Sequence, residues 1–387
     1  MGSAAVAIIG GGIMGASVAH HLAGLGQCDL VILDRAGGPG AGSTGRATGG
    51  FRAQYATAVN VRLSMLTREK LLRFEDETGV DPGYAPAGYL WLATSAAELA
   101  TLGAARAVQH AEGLCEAVEV SPEELARLNP DIRLDGIVGG AFCPSDGFIR
   151  PLAMLEGYLA AAARRGVRIE WGVEVTGMRR DGNGRILILE TSRGALAVGA
   201  VVDAAGPWAA RVAAMAGVSL PVTPLRRQIA ATTPCDLLPA GMPMTIWAGD
   251  GFHLRVRDGR VLLLWPSPGA EGHPFDASVD PAWVDAVVAM AHTRVPVLRR
   301  ATIDRPASWA GLYEMSPDKH AILGAPAECS NLYFINGSSG HGVMHAPALG
   351  QLLAEIVCEG RASSLDVACL HPSRFATGRL NAVSELL

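Results

Sequence analysis

The stretch AVAIIGGGIMG, residues 5–15, decides the fold. Residues 4–9 form an unbroken apolar run, the pattern of a parallel strand buried on both faces. Gly10, Gly12 and Gly15 then supply the G-x-G-x-x-G spacing: a tight turn, a close approach to a pyrophosphate, and close packing of helix on strand. Met14, Val18, Leu22 and Leu25 recur at helical spacing, and Leu30–Leu33 reads as a second strand. Asp34 closes that strand, where a carboxylate accepts both ribose hydroxyls and repels a 2′-phosphate. The unit is a βαβ dinucleotide site that disfavours NADP and leaves NAD and FAD open.

Working outward, the spacing predicts a helix over Leu63–Phe74, a strand over 88–95, and a capped helix in SPEELARLNP (121–130) stopped by Pro130. A helix over 151–164 leads to VRIEWGVEVTGM, a polar turn at Asp181–Gly184, and the strands ILILET and ALAVGAVVDAAG. FHLRVRDGRVLLLW alternates about Asp258-Gly259, a hairpin pair. NLYFINGSSGHG reads as strand then glycine-rich loop, with Pro347 opening the last helix. The fold class expected is α/β: a Rossmann-like domain from 1–80, 147–220 and 316–387, with a second domain on a mixed, largely antiparallel sheet from 81–146 and 221–315.

The 387 residues, 49% of them hydrophobic, suit two globular domains. A net charge of −5 and the lack of a basic run interleaved with aromatics argue against nucleic acid as a partner. Seven scattered cysteines with no C-x-x-C pair fit reduced thiols, hence a cytoplasmic protein. No window reads as a membrane span. His341 and His345 have helical metal spacing, but no nearby carboxylate or Cys completes a site, so no metal is expected.

GGGIMGASVAHHLA, GSTGRATGGFRAQY, VVDAAGPWA, GLYEMSPDKHAILG and NLYFINGSSGHGVMHAPALG occur in an order that resembles the FAD-dependent amine and amino-acid oxidoreductases, the group of glycine oxidase, sarcosine oxidase and D-amino-acid oxidase or dehydrogenase. The resemblance runs nearly end to end and implies FAD. In the loop 40–50, Ser43 and Thr44 offer hydroxyls, and Gly49 and Gly50 offer bare backbone beside the cofactor. By the resemblance Val175 meets adenine through its backbone, and Ala205, Gly206 and Trp208 line the dinucleotide. Gly340, His341, Gly342, Val343 and Met344 precede a helix whose dipole favours negative charge on reduced flavin. Ile13, Met14, Arg35, Thr48, Gly311 and Gly337 complete the cofactor set.

On the substrate side the resemblance gives Arg52 the carboxylate, a task suited to a planar guanidinium. Relatives of the sarcosine-oxidase type hold a Lys within their version of GHGVM, where this chain has Met344, which leaves substrate identity open. Gly311 stands where those relatives attach FAD through Cys, so FAD is expected to be non-covalent. Tyr313 and His253 are the catalytic candidates beside Arg52, and Tyr55 and Trp247 are further pocket candidates. Leu263 falls about where oxidase relatives carry a Lys that promotes reaction with oxygen, which tilts the reading toward a dehydrogenase or slow oxidase. The expected reaction is oxidation of an amino acid or secondary amine at its CH–NH bond by hydride transfer to flavin N5, followed by imine hydrolysis. Oxidation of a 2-hydroxy acid or glycerol phosphate is the alternative, as is a flavoprotein subunit of a larger amine dehydrogenase. Assembly as a homo-oligomer or with a partner subunit stays open.

Overall fold

The computed structural model describes residues 2–267 and 272–383. Two eight-stranded sheets form its frame. In the first, Leu332–Asn336, Gly194–Asp203, Ser3–Ile9, Leu30–Asp34 and Arg168–Trp171 run parallel in that order. Ile322–Gly324 adds an antiparallel edge, and Val175–Arg180 with Ile186–Thr191 forms an antiparallel ribbon continuing from Gly194–Asp203.

The unbroken apolar run of the first strand has a direct structural cause. Val6 and Ile8 pack into the core on one face of the sheet, while Ala7 and Ile9 pack into the core on the other. A strand with two buried faces has no solvent side for polar residues. Helix Ile13–Gly24 packs between Pro151–Arg164 and Gly342–Glu359 on the first face. Contact is so close at Gly350 that any Cβ there would collide with the Ser17 hydroxyl.

The second sheet runs in the order Trp309–Met315, Thr223–Ala231, Arg260–Leu264, His253–Arg257, Met244–Trp247, Tyr89–Ala93, Gly139–Cys143 and Val118–Val120. Its neighbours are antiparallel except Met244–Trp247 beside Tyr89–Ala93, which gives the mixed, largely antiparallel sheet that the alternation and hairpin signals predict. Asp258 and Gly259 turn the hairpin with φ of 52° and 72°, the left-handed pair of a type I′ turn. Ser121 and Glu124 form a reciprocal capping box at the helix Pro122–Leu128.

Two helix boundaries differ from the sequence expectation. The segment assigned to Leu63–Phe74 is a helix over Ala58–Leu71 followed by a separate turn of helix over Phe74–Thr78. Thr57 begins the first without a side-chain cap bond, so no local signal announces the start. The last helix begins at Gly342, not at Pro347, which lies inside it. Proline there deletes one helical donor, a cost of ~3 kcal/mol. Packing of Ala346, Ala348, Leu349, Leu352 and Leu353 in the core offsets that loss.

Candidate active site

The carboxyl ends of the parallel strands bring Ile9, Leu33 and Asp203 to one level, the position where α/β sheets take ligands. A cavity of about 1060 Å³ opens there and extends beneath the second sheet. Gly10, Gly12, Ile13, Met14, Asp34 and Arg35 line one end. Gly10 has φ of 109°, and a Cβ on it would strike the Ala204 carbonyl. Gly15 is set back from the cavity, where a Cβ would strike the Gly10 carbonyl, so its part is close packing of helix on strand. Gly12 is the point of the loop at which a side chain would fill the cradle, its Cβ reaching 3.3 Å from the Thr44 hydroxyl. Thr44 caps the helix by accepting from the Ile13 N–H at 3.1 Å. A helix N-terminus behind a steric cradle fits a pyrophosphate.

Asp34 accepts from the Gly11 N–H at 2.7 Å through one oxygen and from the Ala36 N–H at 2.8 Å through the other. Each oxygen keeps a further lone pair for a ribose hydroxyl. Beside it the Arg35 guanidinium stacks 4.1 Å from the centre of the Trp208 ring. Val175, Ala205, Gly206 and Trp208 all border this end.

Ser43, Thr44, Thr48, Gly49 and Gly50 line the middle of the cavity. The loop that carries them is held by the second sheet. Ser43 donates to the Leu312 carbonyl at 2.7 Å, and Arg46 donates to Ala310 at 2.8 Å. The buried Arg255 donates to the carbonyls of Thr48 and Gly49 at 2.8 and 3.1 Å, and Arg257 reaches Ala47. Sequence reading missed these arginines, because a strand such as HLRVR shows only alternation. Gly311 and the run from Gly340 to Met344 border the cavity as well. Gly337 does not: a Cβ on it would lie 2.9 Å from Ile322, so it shapes the loop from behind.

Asp203, fully buried behind the cavity wall, and Glu314, a partly buried residue of its lining, are two acids not singled out in the sequence. Asp203 accepts from the Ala205 N–H at 3.0 Å, and Glu314 from the Ser338 N–H at 3.3 Å. The second carboxylate oxygen of each has no hydrogen-bond partner among the described residues. Burial pushes Asp203 up to about 8 and Glu314 up to about 7, so both hold protons well above the usual carboxylate range.

The far end is cationic. Arg52, Tyr313 and His253 all line it. Arg52 is 4% exposed, donates to the Gln54 carbonyl at 3.2 Å, and stacks 4.3 Å from the Tyr55 ring centre and 5.1 Å from that of Trp91. Tyr313 is 37% exposed, and Gly340 lets it approach: a Cβ there would be 2.6 Å from the ring. His253 Nδ1 lies 2.7 Å from the Gly251 carbonyl, which can only accept, so Nδ1 carries the proton and Nε2 keeps its lone pair. Burial, with Arg52 and Arg227 nearby, lowers His253 to about 4 and keeps it neutral. Met244, Ile246 and Leu264 add an apolar wall.

Tyr55 and Trp247 fall outside the lining. Tyr55 backs the site instead, donating to the Met344 sulfur at 2.9 Å, and Trp247 packs on Phe252 in the second sheet's core. His345 Nε2 is 2.9 Å from the Ser64 hydroxyl, which itself donates to the Arg52 carbonyl. Among the described residues no three His, Cys, Asp or Glu side chains gather closely enough to hold a metal ion.

Residues 5–356 match the FAD dependent oxidoreductase family. The chain belongs to that family. It is an FAD-dependent oxidoreductase. The chain is 29% identical to glycine oxidase of Geobacillus kaustophilus (strain HTA426), over 94% of its own length and 95% of that protein. It is 30% identical to mitochondrial dimethylglycine dehydrogenase of Rattus norvegicus over 95% of its length, yet covers only 44% of that longer protein. Among solved structures, L-proline dehydrogenase from P. horikoshii superposes with a TM-score of 0.90 at 28% identity, covering 98% of this chain and 99% of that one. Among the described residues no helix of this oxidoreductase is long and apolar enough to cross a membrane.

Proposed function

We propose that this oxidoreductase oxidises a small amino acid or amine at the C–H bond beside nitrogen, with FAD held non-covalently. The observation that carries the reading is the cavity's polarity: a nucleotide cradle at Asp34 and, at the other end, Arg52 and a neutral His253 against the apolar wall of Met244, Ile246 and Leu264. Relatives named for glycine, dimethylglycine and proline support it.

FAD, when bound, supplies a two-electron acceptor for the substrate's hydride. The chain's own residues do the rest. Arg52 and Tyr313 orient the substrate, the positive charge of Arg52 and Arg227 favours binding of the neutral amine already present in solution, and His253 Nε2 accepts a hydrogen bond from its N–H to fix its direction. The sheet above excludes water, and the N-terminus of Gly342–Glu359 favours negative charge that develops near it. The site residues and the discontinuous division into an FAD-binding and a substrate-binding domain belong to this proposal. So does a cytoplasmic enzyme working alone, as a homo-oligomer or beside a partner subunit.

Oxidation of a 2-hydroxy acid is the second reading, favoured by the neutral His253, which can take a hydroxyl proton. Anaerobic mixing of the FAD-loaded enzyme with D- and L-amino acids, N-methyl amino acids, imino acids, simple amines and hydroxy acids tests both. Bleaching of the flavin by an amine or amino acid is expected. Bleaching by hydroxy acids alone would replace the first reading with the second.

A further inference from the structure

Arg226 and Arg227 are neighbours in the strand Thr223–Ala231 with opposite fates. Arg226 pairs with Asp276 at 3.2 Å, and on the same sheet Arg260 pairs with Asp304 at 2.7 Å. Arg227 lines the cavity and makes no ion pair with any described residue. The one hydrogen bond its side chain makes to a described residue is a long one, 3.4 Å, to the Arg226 carbonyl. Its guanidinium lies 5.7 Å from the centre of the Tyr313 ring, and its field falls on His253 as well. A partly desolvated guanidinium without a carboxylate partner is less well solvated than one in water, and its planar donors facing a cavity match an incoming carboxylate. Arg52 is the poorer acceptor of that charge: it is clasped by Gln54 and packed between two rings.

We infer that Arg227 receives the substrate's carboxylate, with Tyr313 beside it, and that the substrate is an amino or imino acid whose apolar side chain lies on Met244, Ile246 and Leu264. The inference rests on the amine-oxidation reading and names the residue and substrate class for it. Arg52 is then a second cation that sets the field, behind the anchor rather than in its place.

The test uses FAD-loaded wild type, Arg227→Ala, Arg227→Lys and, as a neighbour outside the site, Arg226→Ala. Two measurements are compared. One is kcat/KM on an apolar amino acid and on its decarboxylated amine. The other needs no turnover: stabilisation against heat, and perturbation of the flavin spectrum, by benzoate. Arg227→Ala is expected to lower kcat/KM for the acid at least about thirtyfold through KM, while leaving the amine unchanged. Benzoate should stabilise wild type and Arg226→Ala but not Arg227→Ala, and Arg227→Lys should fall between. Benzoate binding that survives Arg227→Ala, or that is absent from wild type, would overturn the assignment, as would an equal penalty on acid and amine. Loss of benzoate binding in an enzyme that no amine bleaches would retain Arg227 as an anion anchor and discard the amine reading.

Discussion

The Asp34 carboxylate accepts the Gly11 N–H at 2.7 Å, so the acid that closes the βαβ unit also holds the glycine loop in place. Asp34→Asn keeps the shape but removes the charge-assisted acceptors, each worth ~1.5–3 kcal/mol. FAD affinity, measured by equilibrium dialysis of the apoprotein, should fall about ten- to a hundredfold. Unchanged affinity would mean that Asp34 serves the loop alone.

Asp203 and Glu314 give stability an acid-side bias. In the unfolded chain they titrate near 3.8 and 4.5, but in the fold near 8 and 7. A raised carboxyl pKa contributes stability that is complete below the unfolded value and is lost as pH climbs through the folded value. The apoprotein's melting temperature should therefore decline as pH rises from about 5, most steeply between the unfolded and folded values at about pH 5–7, and level off above about 8. Asp203→Asn or Glu314→Gln should flatten that decline by at least about 3 °C relative to wild type, read by thermal melts across pH.

Arg52→Ala removes a buried guanidinium and the ring contacts with Tyr55 and Trp91. Both stability and turnover should suffer: a loss of about 2–4 kcal/mol in denaturant melts, and a drop of at least about thirtyfold in kcat/KM with FAD retained. Arg52→Lys keeps the charge that sets the field but not the planar stacking on Tyr55 and Trp91, so it should recover most of the KM and only part of the stability. A variant with full stability and unaltered KM would remove Arg52 from the site.

Gly311 lines the cavity and offers no side chain for a covalent bond. Acid precipitation should therefore leave yellow FAD in the supernatant. Colour that stays with the pellet would show that another residue is bonded to the flavin.

Much of this was readable in the chain. The apolar run of residues 4–9, the Gly10, Gly12 and Gly15 spacing and the acid at Asp34 act through local backbone geometry and strand burial. These are properties a short segment carries by itself. The Asp258-Gly259 hairpin and the Ser121/Glu124 capping box were legible for the same reason. The start of the helix at Ala58 and the passage of the last helix through Pro347 were not, because there packing overrides weak local signals.

The sequence by itself determined the dinucleotide unit, the two kinds of sheet and most of the residues that face the cavity. Only the tertiary structure separated Arg227, bare and facing inward, from Arg226, paired with Asp276. It alone set Arg255 on the carbonyls of Thr48 and Gly49, moved Tyr55 and Trp247 behind the site, and buried an unpaired oxygen on each of Asp203 and Glu314. The reason is physical: a side chain's charge state and role follow from desolvation and from partners supplied by distant strands. Neither quantity exists until the two sheets close over the same cavity.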